Sequence, residues 1–194
     1  MTVIKDGTGT GFLARIDLEN LLETHSVTTD EYAHESIAHG GSYRILGTTT
    51  ITAATEKTVL IVINDSDDLI TVDRVTTSIQ GESGKPATFK TYIGRRTYTS
   101  GGTSVTPINL YANSAKVLDI SAYYDNPTLG GSDSQIQQAF METTTTLDTQ
   151  FDSAIVLPPN SSIRITITGD AAAAGTKIAF SRLLYYRIDE SLHE

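Results

Sequence analysis

The sequence predicts an all-β protein, in which a jelly-roll-like two-sheet β-sandwich over residues 41–194 follows an extended N-terminal arm over residues 1–40. Three observations support this fold class. About eight segments alternate apolar and polar residues with the period of a strand, and clusters of turn residues separate them. Thirty of the 194 residues are threonine, which is β-branched and favours strands. No helix is predicted that is long enough to pair with a sheet; the pattern allows a short helical turn only around residues 29–38 and within residues 115–124. A simpler Greek-key sandwich is the alternative.

The arm opens on alternating glycine and threonine, IKDGTGTG at residues 4–11. It continues into a strand-like run in which Phe12, Ala14, Ile16 and Leu18 share one parity. The glycine spacing is G-x-G-x-G, whereas a dinucleotide site needs G-x-G-x-x-G between a strand and a helix, and a P-loop needs a lysine after its last glycine. A nucleotide site is therefore not expected. The glycines are instead predicted to let the arm turn and approach another backbone closely.

The first four strands of the sandwich are predicted at residues 43–52, 58–63, 69–80 and 87–94. The first is expected to break at Gly47. The second, TVLIVI, is apolar on both parities, which is typical of a central strand that is buried on both faces. In the third, the apolar parity shifts between Val72 and Val75, which indicates a β-bulge near Asp73.

A long region rich in glycine, serine, asparagine and proline, residues 95–134, is predicted to be irregular, except for one strand or helical turn within residues 115–124. The remaining strands are predicted at residues 135–146, 153–162 with a terminal Pro-Pro-Asn turn, 162–169 and 176–188. Residues 162–169 alternate cleanly, so their isoleucines are expected to face inward. The predicted core consists of Leu60, Ile61, Val62, Ile63, Ile163, Ile165, Ile167, Phe180 and Leu184.

The composition argues against several classes of function. A net charge of −9 and a pI near 4.8 do not fit sequence-independent nucleic-acid binding, which depends on lysine and arginine. No apolar run approaches the length of a membrane span, and the N-terminus lacks a signal-peptide pattern. We therefore expect no nucleic-acid partner and no membrane association. The chain has no cysteine, which removes disulfides and thiolate metal ligands.

Catalytic and metal-binding patterns are also missing from the sequence. There is no G-x-S-x-G nucleophile elbow. Three of the four histidines, His25, His34 and His39, lie in the arm at spacings that differ from those of zinc sites. The segment NDSDD at residues 64–68 lacks the glycine and the distant glutamate of a calcium loop, so a structural turn is favoured over a calcium site. We therefore expect a non-enzymatic protein with no catalytic residue, no cofactor and no metal site.

Several segments resemble a group of tailed-phage virion proteins. Chains of this group open with IKDGTG-x-G and a short LA-x-[VI]-D strand, which correspond here to residues 4–11 and 13–17. The segments GGTSVTPINL at 101–110, VINDSDDLITVDRV at 62–75 and IVLPPNSSIRITI at 155–167 are similar to later segments of the same family. One departure follows Asp17, where many of these chains have a basic or asparagine-rich segment and this chain has Leu18-Glu19-Asn20-Leu21-Leu22.

The resemblance implies a structural component of the virion: a head decoration (cement) protein on the capsid exterior, made in the host cytoplasm. It also implies a homotrimer whose partners are the major capsid protein or neighbouring copies. A glycan- or receptor-binding module on the virion surface is the alternative, with the tyrosines at 98, 111, 123 and 124 as candidate sugar platforms.

The arm is the expected intermolecular contact, because so short a segment cannot bury its own apolar side chains. Its glycines are expected to permit close approach to the partner. An arm that completes its own sandwich as an edge strand remains an open alternative. The predicted partner-binding residues are Ile4, Gly7, Gly9, Gly11, Phe12, Leu13, Ile16, Leu18, Leu21 and Leu22.

Overall fold

The computed structural model divides the chain into two compact units, residues 1–30 and residues 31–194. It describes residues 15–16, 22–23, 40–51, 54–80, 86–112, 114–116, 118–142, 145–169 and 177–188. All the regular structure in these residues is β-strand, as the sequence predicts. Within the same residues, no helix is long and apolar enough to cross a membrane.

In the first unit, strands β1 (Arg15–Ile16) and β2 (Leu22–Glu23) pair antiparallel. Ile16 lies opposite Leu22, and Arg15 lies opposite Glu23. The rest of the predicted arm, apart from Gly40, lies outside the described residues, so its boundary at residues 40 and 41 stays a prediction.

The second unit contains eleven strands in the described residues, and they form two sheets. Their bounds are β3 Ser42–Ile51, β4 Lys57–Asn64, β5 Leu69–Gln80, β6 Ala87–Ser100, β7 Thr103–Ser104, β8 Ile108–Asn109, β9 Ile120–Tyr124, β10 Thr128–Met141, β11 Thr146–Leu157, β12 Ser162–Gly169 and β13 Lys177–Ile188. One sheet has the order β8-β3-β13-β5-β11, and the other has the order β7-β9-β4-β12-β6-β10. Every pairing is antiparallel.

The eight long strands pair in a nested way that defines a jelly roll. The first long strand, β3, pairs with the last, β13, and β4, β5 and β6 pair in turn with β12, β11 and β10. This is the pattern of one long antiparallel hairpin rolled into two sheets. The predicted jelly-roll-like sandwich is therefore confirmed, and the simpler Greek-key alternative is not needed.

The core lies between the two sheets and is built from their inward-facing aliphatic residues. Seven of the nine predicted core residues are buried, and they are Leu60, Ile61, Val62, Ile63, Ile163, Ile165 and Ile167. The side chains of Phe180 and Leu184 lie outside the described part of the chain. Strand β4 is buried on both faces along nearly its whole length, as its doubly apolar sequence predicts.

The predicted β-bulge at Asp73 is present in β5. Arg74 lies opposite Leu184 of β13, and the next pair along is Val72 with Tyr185, so Asp73 has no residue opposite it in that ladder. The pairing of β5 with β11 shifts at the same place. An extra residue on one strand moves the apolar side chains from one parity to the other, which is the change visible in the sequence.

Two predictions about glycine-containing segments are wrong. Strand β3 continues through Gly47. The glycine is needed there for packing and not for a break, because a Cβ at this position would lie 2.8 Å from the Leu60 Cβ of the other sheet. Residues 95–134 are irregular only in part: β6 extends to Ser100, β10 begins at Thr128, and the strand expected within residues 115–124 is present as β9. Within β10, Gly131 has a φ of +74°, a conformation that only glycine adopts easily.

The segment between β6 and β10 covers one side of the sandwich. Its strand β8 adds to the edge of β3, and its strand β9 adds to the edge of β4. On the opposite side the two sheets end in β11 and β10, and neither strand has a further neighbour among the described strands. Among the described strands, the fold therefore has one covered side and one side where two edge strands have no further neighbour.

Candidate interaction surface

The strand edge of β10 is the most unusual surface of the described structure. The strand is 14 residues long and ends the six-stranded sheet. Phe140 on it is 77% exposed and Ile136 is 41% exposed. Natural proteins usually protect a long edge strand with lysine, proline or a covering segment. Strand β10 contains no lysine, arginine or proline, and Asp133 is its one charged residue.

Asp133 does not protect the edge, because its side chain is turned onto the outer face of the sheet and is only 3% exposed. It accepts hydrogen bonds from Arg96 Nη2 at 2.9 Å and from Arg164 Nε at 2.6 Å. Burial alone would raise the pKa of Asp133, but the hydrogen bonds from the two arginines outweigh burial, and the pKa lies below its usual value. Asp133 is thus an ionised, internally paired carboxylate.

Gly94 makes room for this arrangement. It lies on β6 between Asp133 of β10 and Ser162 of β12. A Cβ at Gly94 would meet the Ser132 carbonyl oxygen and lie 2.5 Å from the Asp133 Cα. Because glycine has no side chain, Asp133 can reach across β6 to Arg164 on β12.

The ion-pair network continues across the outer face of the sheet. The Arg164 guanidinium lies over the Tyr92 ring, 4.3 Å from its centroid. Tyr92 donates its hydroxyl to Glu56 Oε1 at 3.0 Å, and Lys90 Nζ donates to Glu56 Oε2 at 3.3 Å. The hydrogen bond with Glu56 raises the pKa of Lys90 above its usual value. These contacts tie β10, β6, β12 and the segment before β4 together, so the exposed edge belongs to a braced sheet.

An apolar groove of about 380 Å³ opens beside β10, between the free edges of the two sheets. Ile93 and Arg95 of β6 and Ser134 of β10 line one wall, and Val156, Leu157 and Pro158 line the other. Val156 is 44% exposed although it is a large aliphatic residue on a strand. The groove adjoins β10 at Ser134, and we call the groove and the edge of β10 together the β10 surface.

A second cavity, of about 310 Å³, lies under the segment that covers the other side. Its lining is mixed, and the residues include Ser104, Thr106, Asn109, Lys116, Leu118 and Tyr123. Asn109 is already engaged, since its Nδ2 donates to the Gly40 carbonyl oxygen and its Oδ1 accepts from the Tyr111 amide. The cavity is large enough for a small polar ligand.

The tyrosines expected as sugar platforms are only partly free. The rings of Tyr98 and Tyr123 stack on each other with centroids 3.8 Å apart and planes 3° apart, so one face of each ring is covered. Tyr124 is half-buried against the core. Tyr111 is 50% exposed and is the most accessible of the four predicted platforms.

The turn at residues 64–68 is structural, as the sequence favours. Asn64 is fully buried, and its Nδ2 donates to the carbonyl oxygens of Asp68 and Leu157, each at 2.8 Å. Its Oδ1 accepts from the Ser66 hydroxyl at 2.6 Å. No group of three or more metal-ligating side chains occurs in the described residues, and all four histidines lie outside them.

Of the ten predicted partner-binding residues, the structure places only two. The backbone of Ile16 pairs with that of Leu22, and the other eight residues lie outside the described part of the chain. Sequence reasoning missed the β10 surface, because residues 128–134 were assigned to an irregular region. A usable signal was present: the segment from Thr128 to Met141 contains neither lysine nor proline but carries isoleucine and phenylalanine among glutamines.

Comparison with known proteins gives no family. No protein-family model and no curated protein matches the chain. Among solved structures, a chain from Bacillus endospore appendages, which form disulfide-linked pili, is 13% identical with a TM-score of 0.31, covering 86% of this chain and 100% of that one. A chain of the T13 particle of infectious bursal disease virus is 10% identical with a TM-score of 0.24, covering 91% of this chain and 40% of the viral one. Such low scores carry no functional argument, and the jelly-roll assignment depends on the strand order alone.

Proposed function

We propose that this chain is a non-enzymatic virion structural protein, a decoration (cement) protein that stabilises a tailed-phage head from the capsid exterior. The observation that supports an assembly role most directly is the β10 surface. A braced 14-residue edge strand with exposed phenylalanine and isoleucine is a template for main-chain pairing with another chain. The resemblance of the opening segment to phage virion proteins supplies the context in which that pairing takes place.

The body of the protein suits this role physically. The jelly roll closes its core between two sheets, and the ion-pair network from Arg96 to Glu56 braces the sheet that carries the exposed edge. A rigid edge loses little conformational freedom when a partner strand docks, so more of the interaction energy remains as affinity. We expect the partners to be the major capsid protein or neighbouring copies, in a homotrimer made in the host cytoplasm, without a cofactor, a membrane or a nucleic acid.

Addition of the purified protein to phage capsids that lack it tests this proposal. We expect saturable binding at a fixed copy number, measured by co-sedimentation and quantitative mass spectrometry. We also expect the decorated heads to withstand higher temperature before they release DNA. Absence of the 20.9 kDa chain from purified virions would overturn the proposal.

Substitutions on the β10 surface sharpen the test. Phe140→Lys and Val156→Lys add charge to exposed side chains without opening the core, and we expect them to reduce capsid binding at least tenfold. Ile108→Lys is the matched control, because Ile108 is 62% exposed on β8, on the other side of the sandwich. Equal losses in all three variants would show that the β10 surface has no special part in binding.

A glycan- or receptor-binding module is the second candidate, and the cavity beside Lys116 and Tyr123 is the observation that favours it. Its hydroxyl-bearing lining suits a hydroxylated or acidic sugar. A glycan array probed with the wild-type protein and with Lys116→Ala tests this role. Specific binding that the substitution abolishes would favour the module, whereas an array without signal would leave the assembly role as the remaining candidate.

A further inference from the structure

We propose that the N-terminal arm of one copy docks, as an added strand, on the β10 surface of a neighbouring copy. This inference rests on the proposed assembly role and names the contact through which copies join. It combines three features of the molecule: an open strand edge, an arm with an alternating apolar pattern, and the place where the arm enters the sandwich.

The β10 surface is the acceptor, and its edge can pair with an added strand. A segment that pairs with the outer edge of β10 continues the six-stranded sheet, and its side chains point alternately to the two faces of that sheet. One set enters the groove between Ile93 and Leu157, which is mainly apolar and is also lined by Arg95. The other set lies on the outer face, in the row that begins with Phe140 and Thr88. Apolar side chains are thus accepted on the groove side, beside Ser134.

The donor has the matching pattern. In the arm, Phe12, Ala14, Ile16 and Leu18 fall on one parity, and the other parity carries Arg15, Asp17 and Glu19 after Leu13. A strand with this sequence presents an apolar face to the groove and a largely polar face outward. The glycines before Phe12 carry no side chains that would obstruct the approach of the strand to another backbone.

The arm joins the sandwich on the side opposite to β10. The Gly40 carbonyl oxygen accepts from Asn109, and Leu110 donates to Ser42, so the chain enters beside β8 at the β3 edge. From this edge the free strands lie three strands away, a distance of about 14 Å within each sheet. Because the arm and the β10 surface are different parts of the chain, their pairing between copies is a head-to-tail contact, which closes into a ring when the rotation between copies allows it.

Docking on the same copy is the competing arrangement. The 39 residues before Gly40 are long enough for it, at up to about 3.3 Å per residue. The chain would then cross an outer sheet face, and the described face beyond β4 carries the ion-pair network of Glu56, Lys90 and Arg164, which offers little apolar surface. A neighbouring copy presents its groove without that crossing.

A complementation experiment tests the proposal. Deletion of residues 1–22 leaves a chain that can only accept, and the double substitution Ser134→Lys with Val156→Lys, which places two lysines in the groove, leaves a chain that can only donate. We expect each variant alone to be a monomer by native mass spectrometry, and an equimolar mixture to form a dimer with one copy of each. Ile108→Lys is the control and should assemble as the wild type does.

Two results overturn the proposal: a donor-only variant that still assembles by itself, or a mixture that stays monomeric although both variants are folded by circular dichroism. A second measurement covers the case in which the truncated chain does not fold. Because the chain has no cysteine, Ala14→Cys and Ser134→Cys in one full-length chain provide a unique pair, and both positions face the groove in the proposed contact. We expect oxidation to give covalently linked dimers and trimers on a denaturing gel, and internally linked monomers alone would show docking on the same copy.

The outcome for this contact is separate from the outcome for the proposed function. A chain that is abundant in virions but neither cross-links nor complements keeps its assembly role and loses the arm contact. A chain that cross-links in solution but is absent from virions keeps the contact and loses the decoration role.

Discussion

Asp133 is a single residue that affects whether the edge strand β10 can pair with another chain. A charge on an edge normally discourages pairing with another chain. Here the charge is withdrawn, because two arginines bind the carboxylate and Gly94 gives it space. The same interaction that braces the sheet therefore leaves the edge without a charge to repel a partner.

Removal of the Asp133 carboxylate should destabilise the protein strongly. Asp133→Ala leaves Arg164, with a side chain 13% exposed, and Arg96 without their counter-charge. Loss of one partner from a buried ion pair costs about 3–5 kcal/mol. Asp148→Ala is the control, because Asp148 pairs with Arg74 near the surface and should cost less than about 1 kcal/mol. Urea unfolding measures both, and equal losses would contradict the buried role of Asp133.

The depressed pKa of Asp133 also predicts how stability changes with pH. A carboxyl group whose pKa is lower in the folded state stabilises the protein above its unfolded pKa, which is about 3.9, and loses that contribution as pH falls through the folded pKa. We expect the unfolding free energy of the wild type to decrease as pH falls below about 4. In Asp133→Asn this decrease should be smaller. If the unfolding free energy of the two proteins decreased equally at acid pH, the result would argue against an ionised Asp133.

At the scale of the strands, the sequence was sufficient to predict a strand wherever one face of that strand is clearly buried. The alternation of Ile163, Ile165 and Ile167 predicts β12, and the parity shift at Asp73 predicts the bulge. It was insufficient for the first half of β10, where glycine, serine and aspartate are exposed or engaged by neighbouring strands. Strand order was also beyond the sequence, because the outermost nested pair joins residues more than a hundred positions apart, such as Tyr43 and Tyr185.

The central position of β12 predicts a large cost for a cavity there. Ile165 is buried between β4 and β6, and it belongs to the inter-sheet core. Ile165→Ala should reduce the unfolding free energy by about 2–5 kcal/mol through lost burial and a residual cavity. Thr168→Ala, on the outer face of the same strand, should change it by less than about 1 kcal/mol. A denaturation midpoint close to that of the wild type for Ile165→Ala would contradict the assigned register.

The segment between β6 and β10 explains why one side of the sandwich is covered and the other is open. Its short strands β8 and β9 occupy the edges of β3 and β4. In the sequence this segment looks like a loop, and its glycines and prolines give no sign of which edge it covers. The sequence therefore predicted that the arm pairs with a partner. It did not predict the strand edge that could accept the arm, because that edge is visible only from the order of the strands in the sheet.

For the whole molecule, the first prediction is the number of copies. A head-to-tail contact between copies favours a cyclic assembly, and the phage resemblance implies three copies. Light scattering and native mass spectrometry at micromolar concentration should give three times the mass of the 20.9 kDa chain. The Phe140→Lys variant should shift this distribution toward monomer, and Ile108→Lys should not. A stable monomer in solution and on the particle would remove the trimer.

The last prediction concerns the arm itself, because its ten predicted partner-binding residues decide between docking and self-completion. Each apolar side chain that becomes fully buried contributes about 1.5–3 kcal/mol before ordering costs, so several docked residues make a strong contact. If the arm binds a partner, deletion of residues 1–22 leaves the thermal midpoint of the isolated monomer nearly unchanged and abolishes capsid binding. If the arm completes its own sandwich, the same deletion lowers the midpoint by several degrees and promotes aggregation. A full-length variant with Ile4, Phe12, Leu13 and Ile16 changed to serine keeps the chain length and controls for the loss of backbone. Capsid binding that survives both changes would show that the arm is not a docking segment.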